Sequence, residues 1–145
     1  AEWSEMKENA LMATTSDHGG ARIVADEIAK LIANDGDVEL HIVGHSAGSI
    51  FHAPFLQYLT EQGTIGSGPM ASSKKVKGLG LKISTCTLWA PACTIQLFKE
   101  SYLPAIQKGR VDSFALFTLT DKAEQDDDCA NIYHKSLLYM VSNAF

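Results

Sequence analysis

Cysteines, long apolar runs and metal-ligand patterns are all scarce in this sequence. The only cysteines are Cys86, Cys93 and Cys129, and an odd number of them does not suit a disulfide framework. Their spacing matches no zinc site, so we expect neither a metal nor a cofactor. No apolar run approaches the roughly 20 residues that a membrane-spanning helix needs. We therefore expect a protein without a membrane span, from a reducing, cytoplasmic compartment.

Positive charge is also in short supply. Lysine and arginine number 12 against 17 aspartates and glutamates, which gives a formal net charge of -5. The densest basic stretch, at residues 74–77, lies beside serines and a glycine and is typical of a solvated loop. The acidic residues 1–5 do not resemble a signal peptide. This charge balance predicts no nucleic-acid partner.

The chain does have enough apolar residues for a core, since 46% of its 145 residues are hydrophobic. Helical and strand-like patterns alternate along it. The predicted helices are at 3–15, around 24–32, at 50–59, at about 94–108 and at 131–145, and the predicted strands are at 38–43, 79–88 and 114–119. Residues 63–80 and 121–128 are predicted to be loops because they are rich in glycine and serine or in acidic residues.

This alternation predicts an α/β fold with parallel strands, right-handed crossovers and helices on both faces of the sheet. We expect a three-layer sandwich with a short sheet of about three strands, formed by residues 1–145 as one partial domain. An outer strand of so short a sheet would stay unpaired. Its exposed edge favours a homo-oligomer.

The sequence Gly-His-Ser-Ala-Gly at 44–48 matches the pattern Gly-x-Ser-x-Gly between a predicted strand and a predicted helix. In such a nucleophile elbow the serine lies on a sharp turn and its hydroxyl projects above the sheet. Strand and helix approach so closely that Gly44 and Gly48 must be small. The N–H group of Ala47, at the start of the helix, would supply one oxyanion donor. Ser46 is thus the predicted nucleophile, and the neighbouring His45 is predicted to be a wall residue.

The chain resembles the α/β-hydrolase superfamily and, more narrowly, a group of uncharacterised bacterial proteins of that fold. The stretches that carry the resemblance are HIVGHSAG at 41–48, LWAPAC at 88–93, LTDKAEQDD at 119–127 and KSLLY at 135–139. The resemblance implies a partial α/β-hydrolase fold. The complete fold has further strands before the elbow, and a loop after one of them supplies the second oxyanion donor. We therefore expect this chain to be the nucleophile-bearing part of a longer fold.

The superfamily order of serine, acid and histidine implies the other catalytic residues. In the superfamily the acid usually lies just after the second strand that follows the elbow strand. Asp121 lies just beyond the end of that strand here, and Asp126 is the reserve candidate. The alternative is that Asp121 is a turn or N-cap residue. The acidic run at 126–128 lacks the spacing of a calcium loop and is predicted to be solvated. His134 follows in the right order but only thirteen residues after Asp121, and the alternative is a base beyond residue 145.

Together these residues predict a serine hydrolase, of the esterase or lipase type in its full-length form, that acts on a small-molecule ester or lipid-like acyl substrate. Trp89 and residues 90–92 are predicted either to line an acyl pocket or to be core. The remaining histidines, His18, His41 and His52, are predicted to be packing or surface residues. The alternative function is a catalytically inactive hydrolase-like module that serves in binding or oligomeric assembly. Acyl transfer to an acceptor other than water is a third option.

Overall fold

The computed structural model describes residues 2–71, 73 and 75–127 and contains six helices and five strands in this part of the chain. The helices are α1 (Glu2–Thr15), α2 (Gly20–Asn34), α3 (Gly48–Thr60), α4 (Ile95–Glu100), α5 (Tyr102–Gln107) and α6 (Asp121–Asp126). The strands are β1 (His41–His45), β2 (Gln62–Thr64), β3 (Lys77–Leu79), β4 (Ile83–Trp89) and β5 (Val111–Phe117). Within the described residues, no helix is long and apolar enough to cross a membrane.

Three parallel strands form the main sheet, in the order β1-β4-β5. The register aligns His45 with Trp89 and Trp89 with Phe117, so the carboxyl ends of all three strands lie at one edge of the sheet. The prediction of a mixed α/β chain with a short parallel sheet is therefore confirmed. The remaining strands, β2 and β3, pair as a separate antiparallel hairpin.

The central helix is α3, which lies between the sheet and the first two helices. All residues from 53 to 60 are buried, and six of these eight are apolar or aromatic. Its partners on the sheet side include Leu88, and Phe98 of α4 packs on Phe114 of β5. These contacts all fall on one face of the sheet, which carries Cys86 and the alternate residues of each strand.

The opposite face of the sheet is open. Val43 is 58% exposed, Trp89 51% and Phe117 59%, although all three are large apolar residues in strands. α1 and α2 make their main contacts with α3 and with each other rather than with the strands. The second helical layer of a three-layer sandwich therefore stays a prediction.

The prediction of one long loop at 63–80 is wrong near both ends of the segment, where residues belong to β2 and β3. This segment contains most of the β2–β3 hairpin and buries Ile65, Met70 and Val76 against the core. The buried Gln57 side chain fixes the segment, since its amide donates to the Ser67 carbonyl at 2.8 Å and accepts from the Met70 N–H at 3.0 Å. These apolar residues are irregularly spaced, so no periodic pattern indicated that they pack.

Two further predictions about helices need correction. The helix predicted at about 94–108 is interrupted at Ser101, where φ is -123° and ψ is -65°, because Pro104 cannot continue the hydrogen bonding of α4. The acidic segment predicted to be a loop forms α6 instead. The Thr120 hydroxyl caps this helix by accepting from the Ala123 N–H at 3.2 Å.

The three strands of the parallel sheet are all shifted from their predicted ranges. The strand predicted at 38–43 is β1, and that at 114–119 is β5. The strand predicted at 79–88 is divided, because Lys77–Leu79 joins the hairpin and only Ile83–Trp89 enters the sheet. The predicted closing helix at 131–145 and Cys129 lie outside the described residues.

Candidate active site

The turn after β1 has the backbone conformation expected of a nucleophile elbow. Ser46 has a φ of +49°, in the left-handed region that costs a non-glycine residue roughly 1–2 kcal/mol. Ser46 comes directly after β1, and α3 begins two residues later at Gly48. A strained residue between a strand and a helix persists only where its surroundings hold it, and such residues cluster at functional sites.

Hydrogen bonds from the loop after β4 hold this turn. The Ser46 N–H donates to the Trp89 carbonyl at 2.9 Å, and the Ala92 N–H donates to the Ser46 carbonyl at 3.1 Å. The buried Ser49 hydroxyl adds two more links. It donates to the same Ser46 carbonyl at 2.7 Å and accepts from the Cys93 N–H at 2.9 Å. Both backbone polar groups of Ser46 are therefore fixed by the neighbouring loop.

A buried tyrosine supports the same region from α5. The Tyr102 hydroxyl donates to the Ser49 carbonyl at 2.6 Å, and the Tyr102 side chain is fully buried. Burial raises the pKa of Tyr102 well above its ordinary value, because the phenolate would lose its hydration. Tyr102 is therefore a permanent hydrogen-bond donor that ties α5 to the first turn of α3.

The two glycines of the motif differ in how closely they are packed. A Cβ atom at Gly44 would lie 3.1 Å from His52 Cδ2, 3.1 Å from Leu88 Cδ2 and 3.3 Å from the carbonyl carbon of Gly48. The expected close approach of strand and helix is therefore present at Gly44. At Gly48, by contrast, an added Cβ would meet no atom within 4 Å. The prediction that both glycines must be small is wrong for Gly48.

His52 anchors the end of β1 to α3. Its Nε2 lies 3.0 Å from the Val43 carbonyl oxygen, which can only accept, so Nε2 carries the proton. Its Nδ1 is buried and has no hydrogen-bond partner among the described residues. Burial lowers the pKa of His52, which keeps the imidazole neutral. The prediction of a packing residue agrees with this position, but its hydrogen bond to β1 had no signal in the sequence.

The start of α3 offers unused hydrogen-bond donors beside Ser46. The Ala47 carbonyl accepts from the N–H groups of Ile50 and Phe51 at 3.0 Å and 3.2 Å. The Ala47 N–H itself has no acceptor within the described part of the chain. A helix of 13 residues places partial positive charge at this end, which favours an anion.

No hydrogen bond joins Ser46 and Asp121 in the described part of the chain. Asp121 is an exposed residue in the first turn of α6, and its Oδ2 accepts from Gln125 Nε2 at 2.7 Å. Thr120, not Asp121, is the N-cap residue. His134 lies outside the described residues, and within them the Ser46 hydroxyl makes no hydrogen bond. The reserve candidate Asp126 is exposed at the end of α6.

His45 and Trp89 lie on the open face of the sheet. The two residues are aligned in the register, and both are exposed. The Trp89 ring meets the Phe117 ring edge-on, with 6.5 Å between centroids. Trp89 is thus half exposed on this face, and its two predicted roles, pocket wall and core residue, both stay predictions.

A cavity of about 490 Å³ lies beside the first turn of α3. Ile50, Ala92 and Leu97 line one side, and Leu11 and Met12 of α1 line the other. Ala92 was predicted to line an acyl pocket, whereas the contribution of α1 was missed. The only sequence signal was the helical spacing of the α1 residues, which by itself does not indicate what they face.

Comparison with known proteins adds no assignment. No protein-family model, no curated protein and no solved structure matches the chain. The described residues also contain no group of three or more histidine, cysteine, aspartate or glutamate side chains placed to hold a metal ion.

Proposed function

We propose that this chain carries the nucleophile of a serine hydrolase that acts on an ester or other acyl substrate. The observation that supports it best is the conformation of Ser46, a left-handed non-glycine residue between a parallel strand and a long helix. Ser46 lies where the carboxyl end of β1 meets the amino end of α3. Substrates of open α/β sheets bind at this end of the strands.

In the proposed reaction the Ser46 hydroxyl oxygen attacks the carbonyl carbon of the substrate, and a histidine takes the hydroxyl proton. The negative charge that develops on the carbonyl oxygen is stabilised by the Ala47 N–H. Loss of one such donor typically lowers the rate by roughly 10²–10³. The alcohol then leaves with the proton from the histidine, and water hydrolyses the acyl-enzyme by the same steps.

The acid of the proposed triad is Asp121, and His134 is one candidate for its base. Asp121 follows β5 and would orient the imidazole through a hydrogen bond to Nδ1–H. A histidine beyond residue 145 is the alternative base. The accompanying fold is a partial α/β-hydrolase fold, in which a second helical layer would cover the open face of the sheet.

Labelling with a fluorophosphonate tests the proposal directly. The probe phosphonylates an activated serine with loss of fluoride, so we expect one label per chain, mapped by mass spectrometry to the peptide that contains Ser46. Ser46→Ala should abolish the label and lower ester hydrolysis by roughly 10⁴–10⁶.

Ser113→Ala is the matched control, because Ser113 is an exposed serine on β5 of the same sheet. This variant should keep both the label and the hydrolysis. A full-length protein whose Ser46 never labels, or one in which Ser46→Ala hydrolyses esters as fast as Ser113→Ala, would defeat the proposal.

A second candidate function, a non-catalytic module for binding or oligomeric assembly, is favoured by the open face of the sheet. Val43, Trp89 and Phe117 expose apolar surface there, and such surface marks interaction sites. Sedimentation of the wild type and of a Val43→Lys variant tests it. A dimer that the variant dissociates, in a protein that does not hydrolyse esters, would support this candidate over the hydrolase.

A further inference from the structure

The cavity beside α3 is a groove that is lined by a single stripe of α1. Ser4, Lys7, Glu8, Leu11 and Met12 line it, at the three- and four-residue spacing of one helix face. At about 1.5 Å per residue, the span from Ser4 to Met12 is about 12 Å. The volume of about 490 Å³ falls in the range of small-molecule pockets, roughly 300–1,000 Å³.

The polarity of the groove changes along α1. Ser4, Lys7 and Glu8 lie towards the amino end of the stripe, whereas Leu11 and Met12 lie towards its carboxyl end. Ile50 and Leu97 add apolar surface from α3 and α4. The apolar part, which includes Ile50 next to the Ser46 turn, is the part that suits an acyl chain.

The groove is next to the proposed nucleophile. Ile50 lies in the first turn of α3, four residues after Ser46. Ala92, another lining residue, donates its N–H to the Ser46 carbonyl at 3.1 Å. An acyl group on Ser46 would therefore have two lining residues of the groove close to it in the structure.

We propose that this groove binds the acyl chain of the substrate, and that the substrate class is esters of medium-chain fatty acids. The inference rests on the proposed hydrolase function. The stripe of α1 sets an upper limit on the chain length, because an extended chain advances about 1.2 Å per bond, so about 12 Å accommodates at most about ten carbons.

Hydrolysis of p-nitrophenyl esters from acetate to dodecanoate tests the assignment. For the wild type, kcat/KM should rise about fourfold per added methylene up to eight to ten carbons, since each methylene leaves water for the groove. In Met12→Trp the indole fills the groove, so the ratio of kcat/KM for octanoate to that for acetate should fall at least tenfold.

Met6→Trp is the matched control. Met6 lies on the same helix and is 55% exposed, close to the 50% of Met12, but it does not line the groove. Its octanoate-to-acetate ratio should equal that of the wild type. Equal ratios in Met12→Trp and Met6→Trp would overturn the assignment. If Met12→Trp does not fold, Met12→Asp serves instead, because a charged residue at this half-exposed site excludes an acyl chain.

A binding measurement separates this inference from the proposed chemistry. Dansyl-undecanoic acid, a fluorescent fatty acid, should bind the Ser46→Ala protein and lose at least tenfold in affinity when Met12→Trp is added, but not when Met6→Trp is added. No binding, or equal loss in both, overturns the groove while leaving Ser46 reactivity intact. Conversely, Met12-dependent binding with an unreactive Ser46 would defeat the hydrolase alone, and the groove would remain an acyl-binding site.

Discussion

The neighbouring strands β1 and β4 are each followed by a left-handed residue that is not glycine. A comparison of the two turns shows which features are structural in both and which occur only at Ser46. Ser46 follows β1 with a φ of +49°, and Ala90 follows β4 with a φ of +42°. Each donates its N–H to the carbonyl of the last residue of the next strand. Ser46 donates to Trp89 at 2.9 Å, and Ala90 donates to Phe117 at 2.7 Å.

The turns differ in the side chain at the left-handed position and in the helix to which each turn leads. Ser46 has a hydroxyl and leads into α3, a helix of 13 residues, whereas Ala90 has a methyl group and leads through a short loop into α4, a helix of 6. The loop after Ala90 supplies the N–H groups of Ala92 and Cys93 that hold the first turn. A left-handed residue is therefore a structural device in both turns, and only the first combines it with a nucleophile and a helix amino terminus.

The largest expected effect on stability comes from adding a methyl group at Gly44, where β1 packs closely against α3. Gly44→Ala should lower the free energy of unfolding by about 2–3 kcal/mol, because the new Cβ would lie 3.1 Å from two side chains and 3.3 Å from the helix backbone. Gly48→Ala, the control, should leave stability unchanged or raise it by up to about 1 kcal/mol. Urea denaturation of both variants measures this, and equal losses would contradict the packing difference.

A smaller loss should result when the link between the two turns is removed. Ser49→Ala deletes the hydroxyl that bonds the Ser46 carbonyl and the Cys93 N–H, so stability should fall by about 2 kcal/mol. The rate of fluorophosphonate labelling at Ser46 should fall as well, because the turn loosens. Ser113→Ala, on an exposed strand position, should change neither the stability nor the labelling rate. An unchanged labelling rate in Ser49→Ala would show that the Ser46 turn keeps its conformation without the Ser49 hydroxyl.

Relieving the strain in the second turn should produce a gain. Ala90→Gly should raise the free energy of unfolding by about 1 kcal/mol, since glycine adopts a φ of +42° without steric cost and the gain exceeds its greater entropy when unfolded. Ala33→Gly in α2 is the control and should be destabilising. A destabilised Ala90→Gly variant would contradict strain at this turn.

The smallest expected effect is a pH dependence from His52, beneath the first turn. Burial lowers the pKa of His52 in the folded state, so the unfolded state binds more protons in acid. The stability contribution is therefore complete above about pH 6.5, the ordinary histidine value, and is lost as the pH falls below it. Urea midpoints between pH 5 and 8 measure this. His52→Gln, which keeps an N–H donor, should show a flatter profile below pH 6.5, and an identical profile would contradict the role of His52.

The features that the sequence predicted correctly are those that depend on residues close together in the chain. The turn at Ser46 was predictable because its glycines, its serine and the flanking strand and helix patterns are all close in sequence. The sequence did not predict the interruption at Ser101, although Pro104 indicated that the helix predicted at about 94–108 would be irregular. The hairpin and α6 were missed because their segments are rich in glycine and serine or in acidic residues, a composition that predicts loops. The catalytic roles of Asp121 and His134 stay predictions.

By itself the sequence determined where the chain turns sharply and that its strands run parallel, since both depend on local conformational preference and on the alternation of strands and helices. Only the tertiary structure decided which face of the sheet is covered, that His52 holds β1, and that α1 forms one side of a groove near Ser46. The reason is that these features arise from contacts between segments far apart in the chain. Many placements of an amphipathic helix satisfy the same local pattern, and only packing chooses among them.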